Sequence, residues 1–219
     1  IPPGHLLRSL LLQILFLVRS ERILAEQLDD NLLFRWFVGL SMDETIWNHS
    51  VYSKNRERIL HSDLAIMFLR SICLKAEAAG LLSGDHFTVD DTLIKTRASL
   101  KSFRPKDKES PISTGGNRNP EVDFHGEKRC NDTHASVTDP KSRLFRKGKG
   151  KEAKLCFMGH ILMENRNGLA VNTRATQATG TAERGARYKG EEKIDWRFTL
   201  SAAACNMVRM RSLGVVASG

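Results

Sequence analysis

The chain has few cysteines and no long uninterrupted hydrophobic run. Its four cysteines lie far apart and form no Cys-x-x-Cys pair, so a zinc site is not indicated and a reducing cytoplasm is expected. The apolar stretch at residues 6–18 contains Arg8 and Gln13 and is shorter than the ~20 residues of a membrane helix. No small-residue cleavage site follows it, so neither a signal peptide nor a membrane partner is expected.

The composition is globular but basic. Hydrophobic residues make up 41% of the 219 residues and charged residues 27%, which is typical of a folded chain with a real core. The 34 Lys and Arg against 25 Asp and Glu give a net charge of +9. Because a basic surface attracts polyanions, nucleic acid is the first partner to consider, although many basic proteins bind none.

Residues 1–84 are predicted to be almost wholly helical. Apolar residues recur at helical spacing over residues 3–18, and a second apolar segment spans residues 32–40. Asn48-His49-Ser50 offers N-cap chemistry for the next helix, and Gly80 is a C-cap for the one that follows it. These two helices are predicted over residues 50–60 and about 63–79.

The third predicted helix places three cationic side chains near one another: Lys54, Arg56 and Arg58. A short basic helix after a turn suits a helix-turn-helix-like element whose side chains contact DNA phosphates. A solvated basic face is the other interpretation.

The segment HFTVDDTLI, residues 86–94, predicts a strand that carries two carboxylates, Asp90 and Asp91. Carboxylates within a short strand are costly unless they are paired or bind a metal, which favours an Mg²⁺ or Mn²⁺ ligand. An Asp-rich turn at a strand edge is the alternative.

Residues 101–131 are polar and rich in Gly, Pro, Asn and Ser, which predicts a long loop or insertion. The basic stretch that follows, residues 139–154, suits a flexible phosphate-binding loop, with solvated loop charge as the alternative. Its candidate DNA-binding residues are Arg146, Lys147, Lys149 and Lys151.

A hairpin and a helix are predicted in the last third of the chain. The runs at residues 155–163 and 169–177 flank an Asn-Gly turn, and His160 in the first run is assigned to packing. A core-facing helix is predicted over about residues 195–213. Its apolar stripe is Trp196, Leu200, Ala203, Met207 and Met210.

These segments together resemble the DDE transposases of bacterial insertion sequences, specifically the insertion-sequence-five-like group. The matching strings extend over nearly the whole chain. They are LDDNLLFRWFVGL (28–40), HSVYSKNRERIL (49–60), HFTVDDTLI (86–94), KSFRPKD (101–107), VDFHGEKRCNDTHASVTDP (122–140), MGHILMENRNGLAV (158–171) and ATQATGTAER (175–184).

The resemblance implies an α+β protein with an all-helical DNA-binding domain over residues 1–84. An RNase H-like domain would follow over residues 85–184, with an insertion loop at 101–154 and three antiparallel strands. The first of those strands would bear the first catalytic Asp of the family, which falls on Asp90. Residues 185–219 would form a C-terminal helical segment.

The resemblance also implies a mechanism and its partners. In the family, two Asp and one Glu hold two Mg²⁺ or Mn²⁺ ions that cleave and transfer DNA strands. The partners would be the terminal inverted repeats of the element and the target DNA, bound by a homo-oligomer at the bacterial nucleoid.

Two departures from the family pattern bear on activity. Asp91 stands where the family usually has Gly, which adds a like charge beside Asp90. After Arg184, the family segments with the second Asp and the Glu do not occur, which indicates an internal deletion near Gly185. Other carboxylates could replace the missing ligands by residue type, but their sequence contexts indicate a turn, a loop or the start of a helix. They are Asp139, Glu164, Glu191, Glu192 and Asp195.

The departures predict a transposase-family protein that is catalytically inactive and poorly folded after residue 85. One carboxylate cannot hold two cations in the geometry of in-line transfer. The absence of an initial Met indicates that the sequence begins inside a longer reading frame. The alternative function is a DNA-binding remnant or repressor that recognises the element ends.

Overall fold

The structure, a computed structural model, describes residues 1–106, 131–146, 152–178, 184–185 and 191–214. Six α-helices and seven strands occur in these ranges, so the α+β expectation is confirmed. The chain divides into two compact units. The first comprises Ile1–Val89, Ile161–Thr173 and Trp196–Gly219, and the second comprises Asp90–His160 and Arg174–Asp195.

Helices dominate the first unit, and capping side chains explain where several of them begin. Ser20 Oγ accepts a hydrogen bond from the Ile23 N–H, Asn31 Oδ1 accepts from the Phe34 N–H, and Asn48 Oδ1 accepts from the Ser50 N–H. The helices are α1 (Pro3–Leu15), α2 (Glu21–Asp30), α3 (Leu32–Val38), α4 (His49–Leu60) and α5 (Leu64–Ala78).

The end of α3 is fixed by a glycine and two arginines. Gly39 has a φ of 92°, a conformation that favours glycine, and Arg8 Nη1 donates to the Val38 carbonyl at 2.8 Å. The guanidinium of Arg35 is buried and donates to four backbone carbonyl groups, those of Leu28, Ser41, Met42 and Glu44. These bonds hold the loop after α3 against the helix.

The remaining elements are mostly strands. They are β1 (Phe87–Lys95), β2 (Phe103–Pro105), β3 (His134–Ser136), β4 (Arg143–Phe145), β5 (Lys154–Glu164), β6 (Ala170–Gln177) and β7 (Arg184–Gly185), followed by α6 (Glu191–Ser212). The larger sheet has the order β4-β5-β1-β7, with β6 also paired to β5, and β2 pairs with β3 separately.

The register of the larger sheet follows from a few contacts. Asp91 contacts His160, and the Thr96 N–H donates to the Leu155 carbonyl. The residue numbers rise from 91 to 96 along β1 while those of their partners in β5 fall from 160 to 155. The two strands are therefore antiparallel. Strand β7 pairs with β1 in parallel, with Ile94 opposite Arg184.

Each unit has its own hydrophobic cluster among the described residues. In the first unit, residues of α5 and α6 pack with the residue directly before β6, and the cluster is Leu69, Ile72, Ala76, Leu169, Ala203 and Met210. In the second unit, Leu93, Cys156, Met158 and Ala178 form the cluster, with Phe145 against it. Burial of apolar side chains in such clusters is the main contribution that favours the folded state.

The predicted helices and hairpin are found, with small shifts of their ends. The apolar stripe of α6 is confirmed at Trp196, Leu200, Ala203 and Met210, which are buried, but not at Met207, which is 37% exposed. Helix α2 had no separate prediction. Among the described residues, no helix is both long and apolar enough to cross a membrane.

The prediction of loop throughout residues 101–154 is wrong in part, because β2, β3 and β4 form inside this range. Phe103 is 2% exposed and stacks on the His134 ring, and the hydroxyls of Ser102 and Ser136 are 2.8 Å apart. These contacts give a polar segment enough burial to form a small sheet. Residues 107–130 of the predicted insertion lie outside the described residues.

The expectation of poor folding after residue 85 also differs from the structure. The described residues of this part form two sheets and α6, and β7 pairs with β1 in parallel. The sequence-based domain boundaries near 84 and 185 stay predictions.

A buried carboxylate holds the turn between β5 and β6. Glu164 is 0% exposed, and its carboxylate accepts from the Ser83 hydroxyl at 2.5 Å. It also accepts from the backbone N–H groups of Arg166 and Asn167, at 2.9 and 2.8 Å. Burial alone would raise the pKa of this carboxyl, but the hydrogen bonds outweigh it, so the pKa of Glu164 is lowered.

We expect Glu164→Gln to destabilise the protein at pH 7 by about 1–3 kcal/mol, because an amide cannot accept all of these bonds. The lowered pKa means that the carboxylate stabilises the fold above the unfolded-state pKa and loses this effect as the pH falls through the folded-state pKa. Urea unfolding at pH 7 and pH 3 should therefore show a smaller pH effect in Glu164→Gln than in the wild type. Glu152→Gln, at an exposed ion pair with Lys154, is the control and should change little. Equal pH effects in wild type and Glu164→Gln would contradict this role.

Candidate functional site

Asp90, the expected catalytic carboxylate, lies in the exposed first half of β1. Because side chains alternate along a strand, Asp90 and Asp91 point to opposite faces of the sheet. Asp91 is half-buried and bound to His160, whereas Asp90 is exposed. The two neighbouring carboxylates therefore do not share one surface.

Asp91 belongs to a polar cluster of three side chains on neighbouring strands of the second unit. His160 Nδ1 contacts Asp91 Oδ1, and His160 Nε2 lies 2.9 Å from Thr176 Oγ1. The assignment of His160 to packing is therefore wrong, because both ring nitrogens have polar partners. The missed signal was the strand register, which places His160 between β1 and β6.

The other carboxylates that were weighed by type have structural partners. Glu164 closes the hairpin turn, and Glu191 forms an ion pair with Lys141 at 3.6 Å. Asp195 accepts from the Ala175 N–H at 2.5 Å. Burial raises the pKa of Asp195, against the lowering effects of that bond and of the nearby Arg174 charge. Within the described residues, no group of three His, Cys, Asp or Glu side chains could hold a metal ion.

Helix α4 carries the candidate DNA-binding residues of the first unit. Lys54 and Arg58 are exposed. They are four residues apart, so they lie on one face of the helix. Arg56 differs, because it forms an ion pair with Glu21 at the start of α2 and lies 3.7 Å from a carboxylate oxygen of Glu57.

The environment of Arg56 is mostly protein. Its side chain is 13% exposed and that of Glu21 is 22% exposed. The pair joins α2 to α4, and it satisfies charge that would otherwise be left half-buried. The sequence placed Arg56 with the other two cations because spacing alone does not show which face of a helix packs against a neighbour.

The second group of candidate DNA-binding residues is only partly described. Arg146 directly follows β4 and is exposed. Lys147, Lys149 and Lys151 lie outside the described residues. Arg146 is therefore the one member of this group whose position can be stated.

We expect Arg56→Ala to lower the free energy of unfolding by about 1–3 kcal/mol, between the effects known for exposed and for buried ion pairs. Arg58→Ala, on the exposed face of the same helix, is the matched control and should change it by less than about 0.5 kcal/mol. Chemical denaturation of the full chain measures both. Equal effects of the two variants would show that the Arg56–Glu21 pair contributes nothing to stability.

The comparisons with known proteins bear on this first group. Residues 1–58 match a family model described as Transposase domain (DUF772). The matched range contains α1–α3 and all of α4 but its last two residues, including Lys54, Arg56 and Arg58. Comparisons with curated proteins and with solved structures found no significant match. The match supports a transposase-like protein with DNA as its partner.

Proposed function

We propose that this chain derives from an insertion-sequence transposase of the insertion-sequence-five-like group and binds the DNA ends of its element without cleaving them. The observation that carries the proposal is the transposase-domain match over residues 1–58. A repressor that occupies the element ends is the biological form that such a protein would take. Helices α1–α4 would supply the binding domain.

The charge on α4 supports DNA binding by this helix. Lys54 and Arg58 lie on one exposed face, and the net charge of the chain is +9. Cations on one helix face suit contact with the phosphate backbone, which positions a protein on DNA. Arg56 contributes less to this face, because its charge is compensated by Glu21.

The arrangement around Asp90 supports an RNase H-like origin for the second unit. Strands β1, β5 and β6 are neighbours in one sheet, and Asp90 lies on the first of them in chain order. This is the position that the family resemblance implies for the first catalytic Asp. Antiparallel pairing of β1 with β5 agrees with the three-stranded unit of that fold.

The described residues do not fit the two divalent cations of the family mechanism. Mg²⁺ and Mn²⁺ prefer several oxygen ligands, and no group of three candidate ligands occurs in the described ranges. Asp91, the nearest carboxylate along the chain, is bound to His160. We therefore propose no cleavage step for this chain.

We expect no Mg²⁺- or Mn²⁺-dependent nicking of duplexes taken from the two genomic flanks of the coding sequence. The physical reason is that one carboxylate cannot position two cations for in-line attack. Supercoiled and linear substrates, incubated with each metal and analysed on denaturing gels, provide the measurement. Nicking by the wild type that is abolished in Asp90→Ala would overturn the inactive part of the proposal.

We expect the double variant Lys54→Glu/Arg58→Glu to bind the flank duplexes at least tenfold more weakly than the wild type. Two phosphate contacts would be lost, so the slope of log K against log salt should fall by about 0.9 per contact. Fluorescence anisotropy across a salt series measures both quantities. The matched control is Arg70→Glu/Lys75→Glu on α5, which reverses two exposed cations and changes the net charge equally, and it should weaken binding much less than the α4 variant does.

A wild type that binds no duplex at low salt would contradict DNA binding altogether. A double variant that binds as tightly as the wild type would place the interface elsewhere, and Arg146→Glu would then be tested. A scrambled duplex of the same length separates binding of the element ends from nonspecific binding.

A further inference from the structure

The polar cluster of Asp91, His160 and Thr176 has an arrangement that neither strand pairing nor DNA binding requires. The three side chains come from β1, β5 and β6, and all belong to the second unit. Contacts connect them in the order carboxylate, imidazole and hydroxyl. A hydroxyl beside a base that a third group orients is the signature of an activated nucleophile.

When His160 is neutral, the hydrogen-bond partners assign a role to each of the two ring nitrogens. An ionised carboxylate only accepts hydrogen bonds, so His160 Nδ1 must carry the proton that bonds to Asp91. In the neutral imidazole, Nε2 then holds the free electron pair. Thr176 therefore donates its hydroxyl proton to Nε2 across 2.9 Å.

The cluster is accessible and its backbone positions are ordered by pairing. The side chain of His160 is 33% exposed and that of Asp91 is 41% exposed, so a small molecule can reach the base. All three residues lie in paired strands and not in loops. Groups on strands are held more closely to one geometry than groups on loops.

We propose that Thr176 is a nucleophile that accepts the acyl group of small activated carboxylic esters, with His160 as general base and Asp91 as a positioning residue. Thr176 Oγ attacks the ester carbonyl as its proton passes to His160 Nε2. The bond from carbonyl carbon to leaving oxygen then breaks, and the leaving alcohol takes the proton from Nε2. The products are an acyl-threonine ester at Thr176 and the free alcohol.

The test uses the full chain and p-nitrophenyl acetate as the probe. We expect release of p-nitrophenolate at a rate above buffer, together with a single acetyl group on the peptide that contains Thr176. Mass spectrometry of protease digests locates the acetyl group in the wild type without need of any variant. Acetyl groups on lysines with Thr176 unmodified would overturn the proposal.

Variants separate the three roles. Thr176→Val should remove the acetyl group from this site, whereas Thr176→Ser should retain it. His160→Gln should lower the acetylation rate of Thr176 about a hundredfold, as loss of a general base does. Asp91→Asn should lower the rate at least tenfold, and Asp91→Glu should retain more of it because the carboxylate is kept.

Thr88→Val is the matched control, since Thr88 is also a strand threonine, but it is more exposed than the half-buried Thr176 and donates to the Asn165 amide oxygen. It should leave acetylation of Thr176 unchanged. Thermal unfolding of each variant shows whether the fold is retained. Equal acetylation of Thr176 in the wild type and in a folded His160→Gln variant would overturn the assignment of His160 as base.

Discussion

Much of the structure depends on the hydrogen bonds that the buried carboxylate of Glu164 accepts, because these bonds hold the turn between β5 and β6. One hydroxyl and two backbone N–H groups compensate its burial. The hairpin in turn supplies residues to both compact units, with its turn in the first and its open ends in the second. A charge buried in this way is tolerated only when its hydrogen bonds are complete, so the turn has little freedom to change.

The contact between Asp91 and His160 changes what the departure at position 91 means. From the sequence, a second carboxylate beside Asp90 was expected to add a like charge to a metal site. In the structure, alternation along β1 turns Asp91 to the opposite face, where His160 and Thr176 complete a hydrogen-bonded row. Asp91 is therefore part of a different set of polar contacts, and the site around Asp90 gains no ligand from it.

The sequence predicted the helices and strands better than it predicted which side chains contact one another. The N-cap signal at Asn48-His49-Ser50 and the Asn-Gly turn were sufficient for α4 and the hairpin, because each signal is local. The contact of Arg56 with Glu21 joins residues 35 positions apart, and that of His160 with Asp91 joins residues 69 positions apart, so local patterns carry no information on them. The short strands β2 and β3 were missed because polar segments form sheets only when tertiary burial, here of Phe103, favours it.

Because Arg8 lies close to Gly39, the effect of a substitution at either position depends on the residue at the other. A Cβ at residue 39 would lie 2.5 Å from Arg8 Nη1, on a backbone whose φ of 92° already disfavours a side chain. Any substitution there would require the guanidinium, which bonds to the Val38 carbonyl, to shift, so its cost depends on what occupies position 8. A copy of this gene that loses Arg8 first would relieve the clash but not the backbone strain. The order of the two changes therefore matters. A protein that loses Arg8 first lacks only the hydrogen bond to Val38, whereas one that replaces Gly39 first has both the steric clash and the backbone strain.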